Sequence, residues 1–186
     1  NLLFREMFDF RLIQTDPNFA NYRYDTMSRR LILLDFGATR SYPITMVDAY
    51  GRLMAGAIAD DRPAMSAAAI DIGYFRDGID EGQRRAVLDL FSLACEPLRH
   101  VGDFDFGRTD LAARLREAGL ALSMQKQAWH TPPADAIFLH RKLAGLYLLA
   151  ARLGARVNVQ ALVRPHLGYG RATLPKRSCP VALPAN

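Results

Sequence analysis

Cysteine is scarce, with two in 186 residues: Cys95 and Cys179 lie far apart, with no Cys-x-x-Cys pair and no histidine at metal-ligand spacing. That excludes a disulfide framework and a thiolate zinc site, and it suits a reducing compartment. Long apolar runs are also missing. The longest uncharged helical run, Leu143 to Ala151, reaches about half of the ~20 residues that a membrane span needs, so it reads as a buried core helix. Charge of one sign is concentrated nowhere. The formal balance is +5, yet basic residues alternate with acids in EGQRRAVLD and LAARLREAG, the pattern of solvated helix faces, which argues against a nucleic-acid partner. An initiating methionine is missing as well. Asn1 stands inside the apolar pattern Leu2, Leu3, Phe4, Met7 and Phe8, which reads as a cut within a longer protein.

Half of the residues are apolar, enough for one domain with a real core. Helical spacing of Leu3, Phe4, Met7 and Phe8 predicts a helix ending near Phe10 to Leu12, followed by a loop from Gln14 to Asn21. YRYD and RLILLD flank TMSR, giving two short strands around a turn. The second, Leu31 to Leu34, is continuously apolar and is expected to be buried on both faces. Pro43 then opens a helix with the stripe Met46, Val47, Tyr50, Leu53, Met54 and Ala57. Further helices are predicted over Arg62 to Ile72, Glu81 to Arg99, Asp110 to Gln127 and Pro133 to Leu153, with a shorter one from Val157 to Val163. Val87, Leu90, Phe91, Ala94 and Leu98 share one face, as in a packed bundle. The proline-containing tail from residue 169 to 186 has no period and is expected to be irregular. The fold class is therefore mainly α, a helical bundle with a short two-stranded element.

Chemistry gathers around that element. Asp16 opens an Asp-x-x-x-x-Asn run that closes at Asn21, and Asp35 directly follows the second strand in LLDFGAT. Each residue alone reads more simply as an Asx turn or a strand-end cap. Together they offer hard oxygen donors suited to Mg²⁺, which keeps several waters and takes one or two carboxylates beside substrate phosphates. Protein kinases use this spacing: a catalytic-loop Asp, an Asn five positions later, then Asp-Phe-Gly after a strand.

With QTDPNFANY and LLDFGATR, REMFDFRL before them and PPADAIFLHRKLAG far downstream, the chain resembles the UbiB family of atypical kinase-like proteins, also called aarF-domain-containing kinases. Its Gln-Thr-Asp-Pro-Asn form resembles the branch that supports coenzyme Q biosynthesis. The resemblance implies a kinase-like C-lobe over residues 1 to 168 that binds ATP and Mg²⁺. Asp16 matches the catalytic-loop acid, Asn21 and Asp35 match the metal ligands, and Asn18 stands in the nucleotide site where ordinary serine/threonine kinases carry a lysine. The implied partners are a nucleotide, with lipid or isoprenoid quinone precursors, biosynthetic complex proteins and peripheral membrane contact as candidates. The implied location is the bacterial cytoplasm or the cytoplasmic face of the inner membrane, or the mitochondrial matrix in a eukaryote. Turnover as a kinase or ATPase, and nucleotide sensing without turnover, both remain open.

The family's Lys-x-Gly-Gln signature, alanine-rich loop and N-lobe lysine do not occur in this sequence, so no ATP hydrolysis is expected of this chain alone. Phe4 and Phe8 are expected to be exposed where an N-lobe would pack. Only ATRSY separates Gly37 from Pro43, which leaves little platform for a peptide and favours a small molecule, a lipid precursor or water as acceptor. His140 in LHRKLAG reads as a hydrogen-bonded core residue, while Arg40 could pair with an acid or reach a phosphate. Trp129 reads as a staple for the helix that follows, and DFDFG at Asp103 to Gly107 as a loop.

Overall fold

Two antiparallel ladders, one nested inside the other, organise the first 41 residues of the computed structural model, which describes residues 1–75, 79–124 and 132–167. The chain enters through a short helix, α1 (Leu2–Phe4), that widens into a π-helical stretch, Arg5–Phe10. Arg11 adopts a left-handed conformation (φ 54°) that ends the helix. The outer ladder pairs β1 (Leu12–Gln14) with β4 (Thr39–Ser41), with Ile13 opposite Arg40. The inner one pairs β2 (Tyr22–Asp25) with β3 (Arg30–Leu33), with Tyr22 opposite Leu33. Closing both hairpins forces residues 15–21 and 34–38 to run beside each other. Stitches hold them at both ends: Thr15 donates its N–H (3.0 Å) and its hydroxyl (2.7 Å) to the Ala38 carbonyl, and the Leu34 N–H donates to the Asn21 carbonyl (3.0 Å).

The remainder is mainly helical, as expected. α2 (Ile44–Ala59) turns back through left-handed Asp60 into α3 (Arg62–Ile72), whose first turn is capped by the Asp61 carboxylate accepting from the Ala64 N–H. The predicted stripe on α2 is the packed face: Val47, Tyr50, Leu53, Met54 and Ala57 are all buried. α4 (Glu81–Ala94) and α5 (Glu96–Arg99) replace the single predicted helix from Glu81 to Arg99. The break falls at Cys95, because Pro97 has no N–H to continue the ladder and is tolerated only in a first turn. α6 (Leu111–Met124), α7 (Ala134–Arg152) and α8 (Val159–Leu167) complete the bundle.

Several expectations need correction. Phe4 and Phe8 are buried, with His166 of α8 stacked on Phe8 at 5.5 Å between centroids. β3 is not covered on two faces: Leu31 and Ile32 are exposed, as is Leu34 just beyond, because the two-stranded sheet β2–β3 is not sandwiched between packed layers among the described residues. The Leu143 to Ala151 run is a half-buried face with Leu148 exposed, since α7 packs mainly through Ala136, Leu139 and Lys142. The second Asp-Phe-Gly includes β5 (Phe104–Asp105), paired with β6 (Arg156–Val157), where Phe104 and Phe106 form a small core with Leu111. Trp129, Cys179 and the tail from 169 lie outside the described residues. Among the described residues no helix is long and apolar enough to cross a membrane.

Candidate functional site

The loop after β1 is shaped by its own side chains. Asn18 accepts from the Ala20 N–H (3.1 Å) and caps a one-turn 3-10 helix, Phe19–Asn21, which directs the chain into β2. That turn brings Asn21 back onto Asp16, and Asn21 Nδ2 donates to Asp16 Oδ2 at 3.0 Å. A carboxylate only accepts, so the amide nitrogen must face Asp16, which leaves Asn21 Oδ1 available for a cation. Asp35 follows Leu34, the residue bonded to Asn21, so the inner ladder carries it to the same end of the hairpin. Its Oδ1 accepts from the Gly37 N–H at 2.7 Å. A Cβ on residue 37 would approach that oxygen at 3.2 Å, which is why glycine suits the position. Asp35 Oδ2 takes no protein donor among the described residues.

This donor set fits Mg²⁺: one carboxylate and one amide oxygen, with no cage of three acidic, histidine or cysteine side chains among the described residues. A hard cation held so sparingly depends on phosphate oxygens and water for its other ligands. Asp35 and Asn21 are the residues that would hold it.

α7 closes against this loop, a contact with little local signal in the sequence. Arg141 Nη2 donates to Asp16 Oδ1 at 2.8 Å, so both oxygens of Asp16 are engaged from opposite sides of the chain. One turn later a Cβ on Gly145 would sit 2.2 Å from Pro17 Cγ, so α7 and the loop touch through the bare backbone of that glycine. Lys142 is buried, with Nζ donating to Tyr22 Oη (2.9 Å) and Gln14 Oε1 (3.2 Å) and lying 3.5 Å from Glu6 Oε2. Burial raises the Glu6 carboxyl above its ordinary value, against the pull of the Lys142 charge. The usable signals were a glycine inside a helix and a lysine in an apolar helical stretch.

The remaining candidates are structural. His140 Nε2 bonds the Tyr74 hydroxyl, which in turn bonds Tyr50 (3.1 Å), and burial lowers the imidazole to about 4. Arg40 pairs with an acid: its Nε and Nη2 both donate to Asp135 Oδ1 (3.0 and 2.9 Å), with its guanidinium stacked on Phe138. At the second Asp-Phe-Gly, Asp105 also accepts from Gly107 but faces Arg108 and Arg156, and among the described residues no counterpart of Asn21 bonds it. A cavity of about 440 Å³, lined by Leu2, Leu3, Tyr22, Leu31, Leu146 and Leu149 among others, touches none of Asp16, Asn21 or Asp35.

Residues 1–69 match the ABC1 atypical kinase-like domain. The mitochondrial atypical kinase COQ8B of Rattus norvegicus is 35% identical over 156 residues, which is 84% of this chain and 29% of that protein. The mitochondrial atypical kinase COQ8 of Saccharomyces cerevisiae is 32% identical over 171 residues, 90% of this chain and 34% of that protein. The chain belongs to the UbiB family of atypical kinase-like proteins. Within the UbiB family it lies in the coenzyme Q branch, and it spans about a third of the length of these relatives. A probable serine/threonine-protein kinase, abkA of Dictyostelium discoideum, is 28% identical over 165 residues, 85% of this chain and 29% of that protein. As a UbiB-family sequence, the chain extends its likeness well past the matched domain and into α7, which holds Arg141 and Gly145.

Proposed function

We propose that this chain is the C-lobe portion, residues 1–168, of an ATP- and Mg²⁺-dependent atypical kinase or ATPase that supports coenzyme Q biosynthesis, with 169–186 as a tail. The observation that carries the reading is the joint placement of the Asp16–Asn21 hydrogen bond and Asp35 by the nested hairpins. In this reading Asn21 and Asp35 hold magnesium against the phosphates, Asn18 lies at the nucleotide site, and Asp16 orients or deprotonates the acceptor. When bound, the ion would offset phosphate charge as it develops. The acceptor is a small molecule, a lipid precursor or water. This is supported by the segment after Gly37, where Thr39–Ser41 is paired with β1 and α2 begins at Ile44, so no peptide platform intervenes. The names of the relatives place them in mitochondria, which supports the matrix as the location if the source is eukaryotic.

The test is Asp35→Asn in the full-length protein. Mg²⁺-dependent ATP hydrolysis should fall at least about a hundredfold, with weaker Mg²⁺-nucleotide affinity. Unchanged hydrolysis and affinity would refute the assignment. Nucleotide binding by the unmodified protein with no hydrolysis of any kind would instead establish sensing without turnover.

A further inference from the structure

Asn18 is a neutral amide whose oxygen accepts from the Ala20 N–H, and it brings no positive charge to a place where ordinary serine/threonine kinases have a lysine. A cation reaches the loop by another route. Arg141, 125 positions after Asp16, puts Nη2 2.8 Å from its Oδ1, while Asn21 holds Oδ2. The Arg141 side chain is 57% exposed, and an exposed ion pair of that kind is ordinarily worth little. Its backbone is nevertheless fixed on three sides. His140 is bonded to Tyr74 in the core, Lys142 is buried against Gln14 and Tyr22, and Gly145 lies under Pro17. With the backbone held, only the Arg141 side chain itself has to be ordered to make the contact, and its planar guanidinium loses less per hydrogen bond than an ammonium would.

We propose that Arg141 is the positioning residue for Asp16 and supplies, from α7, the charge that residue 18 lacks. This rests on the ATP-dependent reading above. In that reaction the acceptor oxygen forms a bond to the γ-phosphorus and the bond from that phosphorus to the bridging oxygen breaks. The bonding pair leaves on ADP, and the acceptor proton goes to Asp16 and then to solvent. Arg141 acts through Asp16, by keeping one carboxylate oxygen turned toward α7 and the other toward Asn21.

The experiment measures steady-state Mg²⁺-dependent ATP hydrolysis by the full-length protein and its Arg141→Gln, Arg141→Lys and Arg141→Gln/Asn18→Lys variants, with Asp16→Asn as control. Arg141→Gln should lower kcat by about 10²- to 10³-fold while KM for ATP stays within about threefold. Arg141→Lys should keep about a tenth of wild-type kcat or more, and Asn18→Lys should restore at least tenfold to Arg141→Gln. Arg141→Gln turnover within threefold of wild type, turnover above wild type, or no rescue by Asn18→Lys overturns the proposal. If Arg141→Gln does not fold, Arg141→Lys decides alone: a loss as complete as that of Asp16→Asn overturns it. Hydrolysis that survives Asp16→Asn sinks the underlying reading. Hydrolysis abolished by Asp16→Asn but kept by Arg141→Gln removes only the role of Arg141.

Discussion

Replacing Gly145 by alanine changes no charge and no hydrogen-bonding group, yet it is expected to disable the site. The added Cβ would fall 2.2 Å from Pro17 Cγ and 2.3 Å from its Cβ. An ordinary contact is about 3.5 Å or more, so one side must retreat by roughly 1.3 Å. The proline ring cannot fold away as a flexible side chain could, and Pro17 is bonded directly to Asp16. The displacement is therefore passed to the loop that carries Asp16 or absorbed by tilting α7 with Arg141. Overpacking costs about 1–3 kcal/mol, whereas glycine to alanine inside a helix returns about 1 kcal/mol. Global stability should thus fall by no more than about 2 kcal/mol, or roughly 4–8 °C in Tm. Turnover should fall far more, by about a hundredfold, because misplacing a reacting group by an ångström costs on that order. The assay is Mg²⁺-dependent ATP hydrolysis and thermal melting of the full-length protein with Gly145→Ala. The exchange Pro17→Gly/Gly145→Ala should recover much of the activity, since the nearest atom left facing the new methyl would be the Cα of residue 17, at 3.7 Å. Wild-type turnover in Gly145→Ala, or an exchange variant worse than either single change, would refute the argument.

His140 is held neutral by burial at about 4, against an ordinary 6.5, so the unfolded chain binds the extra proton between those values. The stability it contributes is complete above about pH 6.5 and declines toward pH 4 by up to about 3 kcal/mol. Urea unfolding should show His140→Gln losing correspondingly less stability than wild type over that window, and parallel pH profiles would rule this out. Lys142→Met leaves the Glu6 carboxylate buried without its cation and should cost about 3–5 kcal/mol in chemical denaturation, with Glu6→Gln/Lys142→Met recovering most of it. A double-mutant cycle on Arg40 and Asp135, both about one-third exposed, should give a coupling below about 1 kcal/mol, and a value above about 2 would show the pair to be structurally dominant.

Elements with complete local signals were legible in the sequence. α3 has its Asp61 cap, its early Pro63 and its terminating Gly73 within a dozen residues, and its predicted bounds match those observed. β1 and β4 were not legible, because each is three residues long and exists only through a partner 25 to 29 positions away. The two-sided burial expected of β3 failed for a related reason: a run of apolar residues states a need for cover without saying which chain supplies it. That Asp16, Asn21 and Asp35 lie at one end of a hairpin was readable because their spacing is local on each side of it. Arg141 was not, since its meaning depends on α7 crossing the loop 125 residues later, and only the interior Gly145 hinted that a second backbone lay close.

The packing of α7 also constrains how this chain can change length over evolutionary time. Consecutive helical residues point about 100° apart, and residues 140, 141 and 142 use three successive directions for three separate tasks: the aromatic core, the Asp16 carboxylate and the buried Glu6. A residue gained or lost before His140 can be taken up where the helix begins, and one after Gly145 where it ends. Between those positions there is no slack in angle or rise. Length variation among homologous chains should therefore collect on both flanks of this six-residue interval and be missing inside it, even though most of the interval is not fully buried.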